Sequence, residues 1–318
     1  MSNTPPESGK WSRRFNTATA AIKMATYILV AFFVGSVLFR GKAEKTAGFS
    51  DAKENVAIIK LHGVIGTGKN NISFDAYRPI IDEAFNAPFL KAVYLDINSP
   101  GGSALESVKI STYIRQQADE HLVPVVTYVD GMAASGGYML AVAADKIYAP
   151  AGSIIGHIGV IMDMGFDLHN LTDAVGVKPR IISVGRNKTV GNPFLPMSDD
   201  ERQHLQNMAN AEYKRFVGWV KTQRGYRLNG PDSELFEANI WDGTRAKELG
   251  IIDDIGMLYQ EEIRLEKSGV NVVTLAPEPH RGLADLLNGE LNLSDLAEEI
   301  TLGALNGLKT FQARSLMQ

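Results

Sequence analysis

The sequence predicts an α/β fold, and two features of the residues after position 55 indicate it. Short apolar runs typical of strands alternate with segments of helical periodicity, as in a sheet whose strands are joined by helical crossovers. Glycine-rich turns follow the second and third of these runs, where the chain must pass from a strand into a helix. The 318 residues are enough for about two average domains or one large one.

The predicted elements follow from the spacing of the apolar residues. The predicted strands cover residues 56–61, 92–97, 124–129, 146–149, 158–162 and 180–184. Helices are predicted over 75–86 and 103–117, from residue 138 onward, and over 198–224. The last of these helices begins at Ser198, with Glu201 three residues later, which is the pattern of a capping box. Residues 131–137 are predicted to form a tight turn.

The composition excludes several classes of protein. The chain is 45% hydrophobic and 21% charged, as expected of a globular protein and not of a disordered one. Its net charge of −4 argues against a basic nucleic-acid-binding protein. There is no cysteine, which excludes disulfides, a thiol nucleophile and a zinc–thiolate site.

The N-terminal region predicts a membrane anchor. Residues 24–39 carry no charge, and extending the segment back to residue 18 gives the length of about 20 residues that a bilayer span needs, with Lys23 placed near the headgroups. We predict an uncleaved single-pass anchor over 18–39 after a cytoplasmic lead-in of residues 1–17. A cleaved signal peptide and a buried helix are the alternatives.

The charges beside this anchor predict its orientation. Basic residues that precede it place the N-terminus in the cytoplasm. The rest of the chain would then lie on the outer, periplasmic side of the inner membrane. We predict a linker over 40–54, a catalytic domain over 55–265 and a C-terminal extension over 266–318. A helix in that extension would pack within the protein or at a subunit interface, or would lie on the membrane surface.

Two glycine-rich turns are candidate functional sites. At Asn98–Gly102 a strand ends in a turn whose backbone N–H groups could hold an anion, although a plain strand-to-helix turn fits equally well. Ser135 stands at the start of the next helix, with Gly136 after it, so it is either a nucleophile or an ordinary N-cap serine. A serine nucleophile needs a base, and a lysine can serve when burial lowers its pKa. Lys188 is a candidate, but spacing alone does not select it.

The quoted residues resemble the signal peptide peptidase A family of serine–lysine peptidases. The resemblance covers about residues 55–260, and 53 residues separate Ser135 from Lys188. The matching segments, in the family's order, are 98–102, 133–138, 143–147, 156–162, the loop around Lys188, and 241–253. The resemblance implies a Clp-protease/crotonase-like fold, a ββα superhelix, in the short form with one catalytic domain.

The resemblance also implies roles for single residues. Ser135 would be the nucleophile and Lys188 the general base. The backbone N–H groups of Gly102 and Gly136 would form the oxyanion hole, with Gly101 shaping the approach to it. No metal or organic cofactor would be required. The implied substrates are signal peptides or other membrane-derived peptides, and the implied assembly is a homo-oligomeric ring whose neighbouring protomers help to complete each site.

Two positions depart from the family pattern. His157 stands where the family usually has a serine that would hydrogen-bond the lysine, and Thr189 stands where an acidic residue is common. A neutral His157 imidazole could accept a hydrogen bond from Lys188, a protonated one would repel the ammonium, or the ring could point away. The change at His157 leaves an alternative function open, a weakly active or inactive scaffold that binds membrane proteins. A crotonase-type acyl-CoA enzyme is a further alternative.

Overall fold

A mixed sheet of eight strands lies at the centre of residues 48–277, the part of the chain that the computed structural model describes. The strands are β1 (Asn55–His62), β2 (Leu90–Ser99), β3 (Val125–Ala134), β4 (Lys146–Ala149), β5 (Ile154–Gly156), β6 (Ile240–Trp241), β7 (Asp254–Ile255) and β8 (Asn271–Leu275). The α-helices are α1 (Phe74–Phe85), α2 (Ala104–His121), α3 (Gly136–Ala141), α4 (His169–Ala174), α5 (Asp199–Arg224), α6 (Asp232–Leu235), α7 (Gly243–Glu248) and α8 (Leu258–Lys267). This arrangement confirms the predicted α/β class.

The strand order places three strand ends at one edge of the sheet. The order is β6-β5-β3-β2-β1-β8, and β4 pairs with β3 and with β7. All pairs are parallel except β5 with β6. In the register, His62 pairs with Asn98, and Ile97 pairs with Val129. The carboxyl ends of β1, β2 and β3 therefore lie side by side, which is where open α/β sheets usually carry their sites.

The two faces of the sheet are covered by different helices. Alternate residues of β1 and β2, such as Ile59 and Leu95, pack with α1, α2 and α3 in the larger apolar core. The opposite face carries Ile58 and Tyr94, which pack against Leu265 of α8 in a smaller core. The larger core, with its fully buried aliphatic side chains, fixes the starting points of α2 and α3.

Most predicted elements are confirmed. The strands β1, β2 and β4 and the helices α1 and α2 lie at the predicted places, with ends that differ by a few residues. Helix α5 begins with the predicted capping box, since the Ser198 side chain accepts from the Glu201 N–H and the Glu201 carboxylate accepts from the Ser198 N–H. Strand β8 pairs with β1 and so extends the sheet past residue 265, where we expected the domain to end.

Three local predictions were wrong. Residues 131–134 belong to β3, and residues 132–134 pair with β5, so the predicted turn shrinks to the junction at Ser135. Residues 158–162 are not a strand, because positive φ angles at Gly156 (107°) and His157 (54°) turn the chain out of the sheet after β5. Residues 180–184 are exposed and pair with no other strand of the described region.

The predicted segments 1–17 and 18–39, most of the linker and the helix of the C-terminal extension lie outside residues 48–277. Within those described residues, none of the helices combines the length and apolar character that crossing a bilayer requires.

Candidate active site

The turn after β2 is held by a short segment that follows β1. Ile65 donates its N–H to the Gly101 carbonyl oxygen (2.9 Å) and accepts from the Ser103 N–H (2.8 Å). Gly101 and Gly102 have φ angles of 98° and 145°, which glycine adopts without strain. A Cβ on Gly102 would lie 2.1 Å from the Ile65 carbonyl oxygen, so only glycine fits there.

The turn after β3 places Ser135 in a strained conformation. Its φ and ψ are 52° and −120°, a combination that costs a residue with a Cβ of the order of 1–3 kcal/mol. Two hydrogen bonds hold it there. The Ser135 N–H donates to the Gly156 carbonyl oxygen (2.8 Å), and the Met139 N–H donates to the Ser135 carbonyl oxygen (3.0 Å). Ser135 is half-buried and immediately precedes α3.

Helix α3 is fixed from behind by side chains of the larger core. All six of its residues are buried. The Tyr138 hydroxyl donates to the Ile251 carbonyl oxygen (2.7 Å), and burial raises the pKa of Tyr138, which keeps the phenol protonated. Trp219 donates its indole N–H to the Met139 carbonyl oxygen (3.3 Å). These contacts leave the N-terminal end of α3, and Ser135 with it, little freedom to move.

The two turns meet. A Cβ built on Gly101 would lie 2.9 Å from the Ser135 Cβ and 2.8 Å from the Gly136 nitrogen. A Cβ on Gly136 would lie 3.4 Å from the Gly102 nitrogen and 2.4 Å from the Ser107 hydroxyl oxygen. Neither the Gly102 N–H nor the Gly136 N–H donates a hydrogen bond within residues 48–277. The structure therefore brings Gly101, Gly102, Ser135 and Gly136 together, with two free donors beside a serine.

Lys188 lies apart from this cluster. It belongs to a turn over residues 185–192, where its N–H donates to the Gly185 carbonyl oxygen (3.1 Å), and its side chain is exposed. In the described part of the chain, its ammonium group makes no hydrogen bond or ion pair. One copy of the chain therefore does not bring Lys188 into hydrogen-bond contact with Ser135.

His157 lies close to Ser135 along the sheet, but its side chain is exposed. Its N–H donates to the Asn239 carbonyl oxygen (2.7 Å), which ties the end of β5 to the segment before β6. Its imidazole makes no hydrogen bond with Lys188 in one copy of the chain. The role of His157 toward Lys188 therefore stays a prediction.

The sequence analysis missed Ile65. Residues 62–66 fall outside every element predicted from the sequence, whereas in the structure Ile65 forms isolated bridges to Gly102 and to Ile72. The apolar pair Val64–Ile65 between Gly63 and Gly66 was the available signal, because a glycine on each side allows a short extended segment to double back. Ile65 positions the turn that carries Gly102.

Comparisons with known proteins find relatives over most of the described region. Residues 117–272 match the model of Peptidase family S49. A "Putative protease" of Methanocaldococcus jannaschii is 34% identical over 214 residues, which are 66% of this chain and 68% of that protein. A "Putative signal peptide peptidase SppA" of Enterococcus faecium is 31% identical over 235 residues, which are 71% of this chain and 67% of that protein.

A third relative is much longer than the aligned region. It is a "Na(+)/H(+) antiporter NhaA" of Brucella melitensis biotype 1, 35% identical over 240 residues, which are 74% of this chain. The chain spans about a third of that protein's length, 32%. Ser135, Gly136, His157 and Lys188 all fall inside the range that matches the family model, and Gly101 and Gly102 precede it.

Proposed function

Because the chain belongs to peptidase family S49, we propose that it is a membrane-anchored serine endopeptidase with Ser135 as nucleophile and Lys188 as general base. The observation that carries the proposal is the strained Ser135 with the free N–H groups of Gly102 and Gly136 beside it. Backbone strain of this kind persists where the surrounding structure enforces it, and it is concentrated at active sites.

The chemistry assigns each group one task. Neutral Lys188 accepts the proton of the Ser135 hydroxyl as its oxygen attacks the carbonyl carbon of the peptide bond. The negative charge that develops on the carbonyl oxygen is held by the N–H groups of Gly102 and Gly136, and one such donor is typically worth about 3–4 kcal/mol in the transition state. The amine leaves with the proton, and water then hydrolyses the ester on Ser135. This sequence of steps requires no cofactor.

The proposed fold within the α/β class is the Clp-protease/crotonase-like superhelix. In support of it, the nucleophile and the oxyanion donors come from the ends of two adjacent parallel strands, β2 and β3, each followed by a helix on the same face.

We propose that the enzyme works as a homo-oligomeric ring. In one copy Lys188 is exposed and does not touch Ser135, and it lies in a segment, residues 161–197, that carries many exposed apolar side chains. Ile161, Phe166, Ile182 and Val184 are each at least 84% exposed. An apolar surface of this kind is typical of an interface, and a second copy packed on it would bury these side chains.

The proposed substrates are remnant signal peptides or other peptides released near the membrane. The name of the Enterococcus faecium relative supports this class. An extended peptide would add as a strand beside the active site, with its carbonyl oxygen facing Gly102 and Gly136. The predicted anchor over 18–39 and the periplasmic location are part of this proposal, since they would hold enzyme and peptide at one surface.

Cleavage of a synthetic signal peptide by the full-length chain tests the proposal. We expect Ser135→Ala and Lys188→Ala each to lower kcat by at least 1,000-fold, by analogy with the loss of a nucleophile or base in other serine hydrolases. Lys178→Ala is the matched control, because Lys178 lies in the same exposed segment and only pairs with Asp173 (3.4 Å). Full cleavage by Ser135→Ala would refute the assignment, and so would equal losses in Lys188→Ala and Lys178→Ala.

A further inference from the structure

A second polar cluster lies at the carboxyl ends of β1, β2 and β3, on the sheet face opposite α2 and α3. It consists of His62, Asp96 and Asp130, one residue from each of three adjacent strands. The parallel register places His62 and Asp96 on one face of the sheet. Lys60 pairs with Asp96, and His62 lies two residues after Lys60, so its side chain is on the same side. One ligand-type atom from each residue lies within 4.8 Å of the other two.

Two buried atoms of this cluster lack a hydrogen-bond partner. The His62 Nε2 is buried and unpartnered, and so is the Asp96 Oδ1, within residues 48–277. Asp96 as a whole is only 8% exposed. Leaving such a group unpaired costs about 1–3 kcal/mol or more, so nearly all buried polar atoms have a partner. Two unpartnered atoms on neighbouring residues of one cluster therefore call for a group that would pair with them.

The contact between His62 and Asp96 does not remove this deficit. The His62 Nε2 lies 3.0 Å from the Asp96 Oδ2, but the geometry is not that of a hydrogen bond, and Nε2 keeps no partner. The Asp130 Oδ2 lies 4.0 Å from the same nitrogen. One imidazole nitrogen and the oxygens of two carboxylates, atom types that can each donate an electron pair to a metal ion, therefore lie close together.

The charge around the cluster also favours a cation. Two carboxylates belong to the cluster, and Lys60, which pairs with Asp96 in the register, forms no salt bridge with either of them. Glu262 of α8 packs against the same face. Its carboxyl group lies near enough to interact with Asp96, which places a further acidic group beside the cluster.

We propose that His62, Asp96 and Asp130 form a binding site for a divalent transition-metal ion, with Zn²⁺ as the best-fitting ion. One imidazole and two carboxylates are a ligand set that suits Zn²⁺, whereas Ca²⁺ and Mg²⁺ prefer oxygen ligands alone. Three protein ligands leave at least one coordination position for water. Asp130 is exposed enough, at 68% of its side chain, to rotate onto the ion.

The bound ion would act as a brace between three strands. Asp96 lies five residues before Gly101, and Asp130 lies five residues before Ser135. An ion that links β1, β2 and β3 at this edge would fix the strand ends from which both turns of the candidate active site depart. This inference does not depend on the proposed peptidase activity, because it rests on side chains on the other face of the sheet.

Calorimetric titration of the chelator-treated full-length chain with ZnCl₂ tests the site directly. We expect one tight Zn²⁺ per chain, at least tenfold weaker binding in Asp130→Asn and in His62→Gln, and unchanged binding in His169→Gln. His169 is the matched control, because its imidazole also contacts a carboxylate, that of Asp167, at a distance of 2.5 Å outside the cluster. We also expect Zn²⁺ at a hundredfold excess over Kd to raise Tm by about 5 °C in the parent and not in Asp130→Asn.

Asp130→Asn keeps the test decisive if His62→Gln fails to fold, since the Asp130 side chain is largely exposed and circular dichroism will verify its fold. The proposal is overturned if Zn²⁺ does not bind the parent, or if it binds Asp130→Asn and His62→Gln as tightly as it binds His169→Gln. Equal or tighter binding of MgCl₂ or CaCl₂ at the same residues would overturn the choice of a transition metal.

Discussion

At the residue scale, the candidate site depends on two glycines that have no room for a Cβ and on one serine held in a strained backbone conformation. Gly101 and Gly102 occupy positions at which a Cβ would collide with Ser135 or Ile65. Ser135 keeps its Cβ at a φ of 52° although glycine would fit that conformation better. A strained serine followed directly by Gly136 indicates that the hydroxyl, and not the stability of the turn, determines the residue at this position.

This strain predicts opposite effects of Ser135→Gly on stability and on activity. Glycine relieves the positive φ, so we expect the free energy of unfolding to rise by about 1 kcal/mol while peptide cleavage is lost. Ser135→Ala keeps the Cβ and should lose cleavage without gaining stability. Urea unfolding of the three proteins measures the difference. If glycine and alanine at position 135 give equal stability, Ser135 is not strained in solution.

The site residues show what sequence can predict at this scale. Gly101, Gly102, Ser135 and Gly136 were all selected from two glycine-rich turns after strands, and the structure places them in contact. The His62–Asp96–Asp130 cluster was missed, because its members are 34 residues apart and share no local motif. Only the register of three parallel strands brings them to one face.

At the element scale, a buried glutamate links the two helices that lead to the site. Glu106, in the first turn of α2, is 3% exposed. Its Oε2 accepts from the Phe74 N–H at the start of α1 (2.7 Å), and its Oε1 accepts from the Lys109 ammonium (2.8 Å). These two donors, Lys109 first, hold the pKa of the Glu106 carboxyl below its ordinary value.

The lowered pKa of Glu106 predicts a pH-dependent effect of Glu106→Gln. Stability from a carboxylate with a lowered folded pKa is present above the unfolded pKa, about 4.3, and is lost as the pH falls through the folded value. We expect Glu106→Gln to cost about 1.5 kcal/mol at pH 7, because it removes the charge that pairs with Lys109 and weakens the bond to the Phe74 N–H. The cost should shrink steadily in urea unfolding from pH 5 to pH 3. A cost that is constant with pH would contradict this account.

The strand errors of the sequence analysis also belong to this scale. Residues 158–162 and 180–184 are apolar and rich in β-branched residues, which predicts strands. In one copy of the chain, residues 180–184 are exposed and residues 158–162 leave the sheet at Gly156. A run of apolar and β-branched residues indicates that a segment becomes buried. It does not indicate whether the sheet of the same chain or a second molecule buries it.

At the scale of the whole molecule, the two candidate catalytic groups lie apart. Lys188 belongs to the exposed segment 161–197 and does not contact Ser135 in one copy of the chain. The surface of this segment carries Ile182 and Val184, at 101% and 93% exposed, six and four residues before Lys188. We propose that a second copy covers this surface and that assembly decides where Lys188 comes to rest.

Charges placed on this surface should therefore break the assembly. We expect the double variant Ile182→Asp and Val184→Asp to shift the mass measured by light scattering from an oligomer toward a monomer, and to lose cleavage in parallel. Leu122→Asp is the matched control, since Leu122 is also 89% exposed but follows α2, far along the chain from Lys188. If the double variant keeps the parent mass, this surface is not the interface.

The central claim is that Ser135 is the nucleophile, and covalent labelling tests it most directly. The full-length chain would be treated with a fluorophosphonate, which phosphonylates activated serines, and the modified residue located by mass spectrometry of its peptides. We predict a single adduct on Ser135, formed in step with the loss of signal-peptide cleavage and absent from Ser135→Ala. An adduct on another serine whose formation abolishes cleavage, with Ser135 unmodified, would contradict the account.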